Sequence, residues 1–409
     1  MIPIHIKNEN KFKTVTIALK FKAPIDDKTI TERALLSKIL TKSTADFPTE
    51  QSLYDYLSDL YGAHLSSYVS KQKTAHIITI SIEFINDKYI DEQLFDRCSQ
   101  LLADAVWRPY LQNQAFDDQK VTQEKQLLAA RFDHIKDNKA QASFQSMLQE
   151  MFAGQSYRFP SIGFADRLID VTPHKLYQAY RSMLEQDEKS LYVIGDIDDT
   201  VRRSLEEKFN FSQQSIKLHT LDLPVKSNPS FVTEHATTSQ ARINMGMTVP
   251  VTYATPEYFS FIVMNQMYGG DATSLLFMNV REKLSLAYQI HSQIDARLGL
   301  MYVIAGVQNV TYKETVDTIL EQLDLIKKGD FSTGLLSTAK KMLVSHRKEN
   351  LDRPRGWIEQ SYASTFDATV LTTDDWIKGI ESVTKQDVMQ IANEVNVQTI
   401  YCLAEEVKA

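Results

Sequence analysis

Residues 171–179 read VTPHKLYQA and residues 383–391 read VTKQDVMQI; the two stretches match at Val, Thr and Gln, 212 residues apart. Each opens a helix, Thr172 with Pro173 at the first helical position and Thr384 as an N-cap. Upstream of the first lie AHLSSYVS (63–70) and AHIITISIEF (75–84), alternating runs joined as a hairpin by SKQKT. Upstream of the second, AYQIHSQI (287–294) and GLMYVIAGV (299–307) make the same pattern, and the hairpins start at Ala63 and Ala287, 224 residues apart. Two offsets this close predict a duplicated α+β unit of about half the chain.

The remaining elements fit that plan. Residues 11–23 alternate as a strand with one wet face, and Thr31 reads as the N-cap of a helix carrying Leu35, Leu36, Ile39 and Leu40. A second helix starts after Pro48 and stops at Tyr61–Gly62, and helical periods cover 89–106, 114–134 and 142–152. LYVIGDID (191–198) closes the first half as a buried strand. KLHTLDLPVKSNPS (217–230) has two prolines and no period, which places the linker. In the second half, helices are predicted from Pro256 to Tyr268, ending at Gly269–Gly270, through SLLFMNVREKL, and over 313–328 and 333–350; QTIYCLAE is the last strand. The boundaries are therefore 1–218, a linker 219–230, and 231–409.

Composition narrows the function. With 409 residues, 43% hydrophobic and 24% charged, the chain can bury large cores without staples. Forty-five Lys and Arg against 52 Asp and Glu give −7, no field for gathering nucleic acid or anionic lipid. The only cysteines, Cys98 and Cys402, form neither a disulfide framework nor a zinc cluster. The first residues lack a continuous apolar core of a signal peptide, and no stretch approaches the ~18 apolar residues of a spanning helix. A cytoplasmic protein without membrane attachment is expected.

The most specific run is GGDATSLLFMNVREKLSLAY, Gly269–Tyr288. It resembles the C-terminal-half signature of the pitrilysin/insulinase-type (inverzincin) peptidases. KSTADFPTEQSLYDYLSDLYGAHLSS (42–67) resembles the stretch after that family's metal-binding helix. FPSIGFADRLIDVTPHKLYQAYRSML (159–184) with LYVIGDID resembles the end of its N-terminal half. The resemblance spans nearly the whole chain in the right order. Catalytic members carry H-x-x-E-H on the first helix, two His holding zinc and a Glu activating water. Here the motif falls on Ala34-Leu35-Leu36-Ser37-Lys38, so both ligands and the base are missing. Alanine cannot coordinate, and a lysine ammonium opposes a dication. The family's third ligand, a Glu, falls near Glu124, which alone cannot build a site.

No other constellation supplies chemistry. His64 and His76 flank the first hairpin and His134 follows Glu124, without ligand spacing, so they read as structural or surface histidines. Cys98 sits on a helix face with Leu94 and Leu102 and reads as core. There is no G-x-S-x-G elbow or phosphate loop. The resemblance gives Arg281 and Tyr288 a role: in the family an Arg and a Tyr at this spacing reach bound peptide near the scissile bond. A guanidinium and a phenol can donate to peptide carbonyls and to a developing oxyanion. The plainer alternative is an Arg281 paired with a nearby carboxylate and a Tyr288 packed at a strand entrance.

The reading is thus an α+β fold of two homologous halves, each a mostly antiparallel sheet covered by helices on one side, forming a clamshell around a cavity. The resemblance implies a subunit with no metal and no cofactor of its own. It would bind peptide and complete the active site of a paralogous, H-x-x-E-H-bearing subunit that carries the zinc, in a heterodimeric metallopeptidase. When isolated it could pair as a homodimer. A non-enzymatic peptide-binding scaffold is the alternative.

Overall fold

Alternation along the N-terminal strands sets the first sheet. The computed structural model describes residues 1–405. It begins with β1 (Ile4–Asn8) and β2 (Thr14–Pro24), then α1 (Ile30–Ile39), α2 (Glu50–Asp59), β3 (His64–Gln72) and β4 (Ala75–Ile85). Next come α3 (Leu94–Trp107), the two-residue pair β5 (Leu111–Gln112) and β6 (Ala115–Phe116), α4 (Asp118–Asp137) and α5 (Lys139–Met151). This half ends with α6 (Pro173–Gln186), β7 (Glu188–Gly195) and α7 (Arg202–Lys208). The sheet order is β1-β7-β2-β4-β3, antiparallel apart from the parallel β1–β7 pair, so β3 is an edge strand. Val15, Ile17, Leu19 and Phe21 from β2 join Ile78, Ile80 and Ile82 from β4 on one face. They pack there with Leu35, Leu36 and Ile39 of α1, Leu101 and Leu102 of α3, and Leu176 and Met183 of α6.

The second half repeats the plan: β8 (Ser230–His235), β9 (Ala241–Thr248), α8 (Pro256–Asn265), β10 (Ala287–Asp295), β11 (Leu300–Val307), α9 (Tyr312–Lys328), α10 (Thr333–Leu351), α11 (Pro354–Ser364), α12 (Thr373–Ser382), α13 (Lys385–Asn393) and β12 (Asn396–Ala404). Its sheet runs β10-β11-β9-β12-β8, again with one parallel pair, β12–β8. The core is built from Ile243, Met245 and Met247 of β9, Met301, Val303 and Ala305 of β11, and the apolar faces of α8, α9 and α13. Two sheets with the same order and the same parallel edge pair are the structural form of the repeated sequence offsets.

The chain divides into two units that each borrow from the other half of the sequence. The first gathers 1–134, 159–221 and 353–361; the second gathers 135–158, 222–352 and 362 onward. In the first, α11 lies on the face of the sheet away from the core helices, where Lys20 pairs with Glu359 at 2.8 Å. This changes the reading of β2. Thr16, Lys20 and Lys22 stand on the face expected to be wet, yet all are buried. In the second unit, α5 lies on the corresponding face: Ser143 accepts from Asn244 and Phe144 meets Tyr302 edge-on at 5.4 Å. Gly246 allows that approach, because a Cβ there would stand 2.3 Å from the Met151 sulfur. Neither α11 nor α12 is announced by the sequence pattern.

Helix starts divide between expectation and correction. Thr172 and Thr384 cap α6 and α13 as the pattern predicts, each accepting from the backbone N–H three residues on. Thr31 does not cap α1. The helix starts two residues earlier with Thr29 at its N-cap, and the Thr31 hydroxyl accepts the N–H of Phe164 at 2.9 Å. A tertiary partner takes the group that local capping would otherwise use. The predicted helix to Tyr268 ends at Asn265 and passes into a widened i→i+5 turn, Gln266–Gly270. Gly269 is there for close approach, since a Cβ would lie 2.7 Å from the Ser292 hydroxyl of β10.

One buried cation holds α1 to the sheet. Arg33 pairs with Asp187 at 2.8 Å, donates from Nε to His76 Nδ1 at 3.0 Å and reaches the Phe21 carbonyl. Since His76 Nδ1 accepts, its Nε2 carries the proton and donates to the Ser161 carbonyl at 2.8 Å. Burial, with Arg33 and Lys71 nearby, holds the imidazole pKa down to about 3 from an ordinary 6.5, so it is neutral in the fold. An unfolded chain takes up that proton below pH 6.5 and the folded chain does not until about pH 3. The stabilisation is complete above pH 6.5 and is lost as pH falls through that window, by about 1.4 kcal/mol per pH unit. Urea unfolding of wild type and His76→Gln from pH 7.5 to 4.5 should show the wild-type advantage shrinking steadily with acidification; a constant difference would contradict it.

Candidate functional site

Ala34, Ser37 and Lys38 lie on α1, which packs on β3 and β4, and Lys38 stands near the Glu124 and Arg131 charges of α4. Ala34 is buried and offers no donor atom. Ser37 is fully buried and spends its hydroxyl on the Ala34 carbonyl at 2.8 Å, a local back-bond within the helix. Lys38 is half-buried, and its ammonium donates to the backbone carbonyl of Ser67 on β3 at 2.6 Å. Burial lowers the pKa of Lys38, helped by the charges of Arg131 and Lys42 and opposed by Glu124. The structure thus brings together the positions that the sequence singles out on two helices.

Glu124, on α4, is buried and forms an ion pair with Lys42 at 3.1 Å, one turn beyond Lys38. Burial pulls the Lys42 pKa down, but Glu124 and Glu50 outweigh it and hold it above the ordinary lysine value. The carboxylate aimed at this spot is balanced by an ammonium. These residues do not fit zinc. The site has no imidazole, its serine oxygen is engaged, and two cations stand beside the one carboxylate. Among the described residues no group of three or more His, Cys, Asp or Glu is arranged to hold a metal ion.

The other histidines and Cys98 sit away from such chemistry. His64 is exposed at the start of β3, His134 is exposed on α4, and His76 is committed to the Arg33 cluster. Cys98 is fully buried, and burial pushes its thiol up to about 12, the behaviour of a core side chain.

Arg281 and Tyr288 belong to the second unit. Arg281 lies on a second widened helical segment, Leu276–Lys283, with its guanidinium over the Phe277 ring at 4.5 Å and its Nε 3.5 Å from Glu282. It keeps 41% of its side-chain surface exposed. Tyr288 stands on β10, an edge strand, and is 54% exposed. The register of β10 against β11 skips between Ala287 and Gln289, so Tyr288 occupies a bulge. Bulges re-aim side chains and cluster near sites of function. The plainer alternative of Arg281 beside a carboxylate describes its contact with Glu282, but Tyr288 is not packed in.

Sequence reasoning missed a polar cluster on the α11-covered face of the first sheet. Lys20, buried, donates to Glu359 and to Thr79 at 3.1 Å; Tyr68 donates to the same Glu359 carboxylate; and the Arg355 guanidinium lies 4.1 Å from the Tyr68 ring centre. Beside it is a cavity of about 240 Å³ bounded by Tyr68, His64, Ser66, Glu83, Arg355 and Ile358. Lys20 alternating into the wet position of β2 was a visible signal; its partner, 339 residues away, was not.

Known proteins resemble this chain over most of its length. Residues 170–343 match the family description "Peptidase M16 inactive domain". Over 403 residues the chain is 32% identical to a Bacillus subtilis (strain 168) protein named "Probable inactive metalloprotease YmfF", covering 98% of this chain and 95% of that one. The chain belongs to the peptidase M16 family. The resemblance to pitrilysin/insulinase-type peptidases is borne out, and with it the α+β class. A solved structure of a conserved protein from Enterococcus faecalis V583 superposes with a TM-score of 0.93 at 27% identity, covering 99% of this chain and 97% of that one. A peptidase M16 inactive domain from Pseudomonas fluorescens shares the fold, with a TM-score of 0.80 at 14% identity over 99% of this chain and 96% of that one. Among the described residues no helix of this M16 chain is long and apolar enough to cross a membrane.

The Lys42–Glu124 pair is open to a direct check. Lys42→Met leaves a buried carboxylate without its cation and should cost about 1–3 kcal/mol in urea unfolding. Adding Glu124→Met should recover most of it, because replacing both partners by apolar groups of similar shape is close to neutral. A double variant as unstable as the single one would contradict the pairing.

Proposed function

We propose that this M16 chain performs no peptide hydrolysis alone and serves as the substrate-binding subunit of a heterodimer whose paralogous partner carries H-x-x-E-H and the zinc. The observation that carries this reading is the contrast between its two candidate regions. On α1 the metal-ligand positions hold Ala34 and Lys38, the base position holds Ser37, and the ammonium of Lys42 balances Glu124. In the second unit Arg281 and Tyr288 keep the family spacing and present donors to solvent. The bulge at Tyr288 re-aims its side chain on an edge strand, an arrangement that clusters near functional sites. The name of the B. subtilis relative, which calls that protein a probable inactive metalloprotease, supports the absence of independent activity. An extended peptide can add to a free sheet edge, and both β3 and β10 are edges.

In this reading Arg281 and the Tyr288 hydroxyl donate to peptide carbonyls, and the partner's zinc supplies the Lewis acid. Elemental analysis of the isolated chain should find far less than one zinc per molecule, and peptidase assays should find activity only when it is mixed with the zinc-bearing paralogue. Tyr288→Phe should leave the melting curve unchanged and cut turnover of the mixed subunits by ~10²–10³, the usual cost of losing an oxyanion donor. Mixing that yields neither a complex nor activity would replace this proposal with a peptide-binding scaffold.

A further inference from the structure

Lys38 presents an electrostatic imbalance. Its ammonium is half-buried, yet its one hydrogen-bond partner among the described residues is a neutral carbonyl, Ser67 O, and no carboxylate lies within ion-pair distance. The nearest acid, Glu124, is already taken by Lys42, and Arg131 adds a further positive charge. Desolvating a cation without a counter-charge is costly, so such a group favours the arrival of an anion.

The neighbouring strand carries a second unmet demand. Ser67 is 9% exposed, and its hydroxyl is buried without a hydrogen-bond partner. Along β3, Leu65 and Val69 pack into the core shared with α1, so Ser67, between them, turns its side chain to the same face. The Ser67 carbonyl also points away from β4, since it accepts from Lys38 on the free side of the edge strand. An ammonium bonded only to a carbonyl and an orphan hydroxyl are therefore gathered at one residue of the edge strand. A carboxylate satisfies both, accepting from the Lys38 ammonium and from the Ser67 hydroxyl.

We propose that Lys38 and Ser67 form a carboxylate-binding subsite on the edge of β3, so that this chain selects extended peptides that place a carboxylate there. The inference rests on the peptide-binding part of the proposed function and not on the zinc-bearing partner. The carboxylate can come from an acidic side chain or from a peptide C-terminus, and both present the same chemistry. Engaging it draws the Lys38 ammonium off the Ser67 carbonyl, which frees that carbonyl for a backbone N–H of the peptide. The residue that replaced a metal ligand would then act as a specificity determinant.

The test uses the isolated full chain and three fluorescent eight-residue peptides of alternating Val and Thr. One carries a central Glu with blocked ends, one a central Gln with blocked ends, and one the Gln sequence with a free C-terminus. Fluorescence anisotropy at low salt should give at least about tenfold tighter binding for a carboxylate peptide than for the blocked Gln peptide, the scale of one charge-assisted hydrogen bond. Which carboxylate peptide gains tells side chain from terminus. Lys38→Met should abolish the preference, and Ser67→Ala should reduce it; melting curves check that both variants fold. Equal wild-type binding of all three peptides, or a preference that survives Lys38→Met, overturns the subsite while leaving peptide binding intact. Binding of none of them overturns the subsite and the peptide-binding reading together, whatever mixing with a paralogue shows.

Discussion

The first unit depends on the guanidinium of Arg33. Buried at the start of α1, it ties that helix to Asp187 ahead of β7, to His76 on β4 and to the Phe21 carbonyl on β2. A planar fork spreads its donors over three nitrogens and meets three partners in different directions, whereas a lysine would have to gather all of them around one nitrogen. Breaking a buried pair of this kind is costly, while its net contribution to stability is small; its value lies in specifying one arrangement. Here the specified quantity is the rotation of α1. With Arg33 fixed against the sheet, Lys38 is brought to the Ser67 carbonyl on β3. Positions 34 and 38, where the resemblance places metal ligands, carry an alanine and a lysine on this helix.

Charge balance explains how Glu124 is accommodated there. A buried glutamate without a cation would be an uncompensated charge, and Lys42 compensates it. Lys38 goes further and adds a positive charge whose partner is only a carbonyl dipole. The region presents cationic groups beside a strand edge. Its chemistry is therefore suited to anions and carbonyl groups.

Duplication shapes the rest of the chain. Both sheets have the same order, and each receives on its second face a helix from the other half of the sequence, α11 on the first and α5 on the second. That exchange makes the polar alternation of β2 compatible with burial, since Glu359 and Thr79 meet Lys20. Covering a sheet by a distant helix also accounts for the 339-residue separation of an ion pair that anchors the first unit.

The sequence by itself determined the duplicated α+β plan, the family, the hairpins, the caps at Thr172 and Thr384, and the identities of the residues at 34, 37 and 38, where the resemblance places the family's metal motif. These follow from local periodicity, capping chemistry and residue identity, all of which act over a few residues. It also pointed to Glu124, Arg281 and Tyr288, though it could not say what each would touch. Only the tertiary structure decided that Thr31 serves Phe164 instead of capping α1, that β2 has no wet face, that Lys42 neutralises Glu124, and that Lys38 reaches Ser67. Each of those outcomes is a contact between elements far apart in the chain. Such contacts depend on how helices and sheets pack, and no short stretch of residues encodes that.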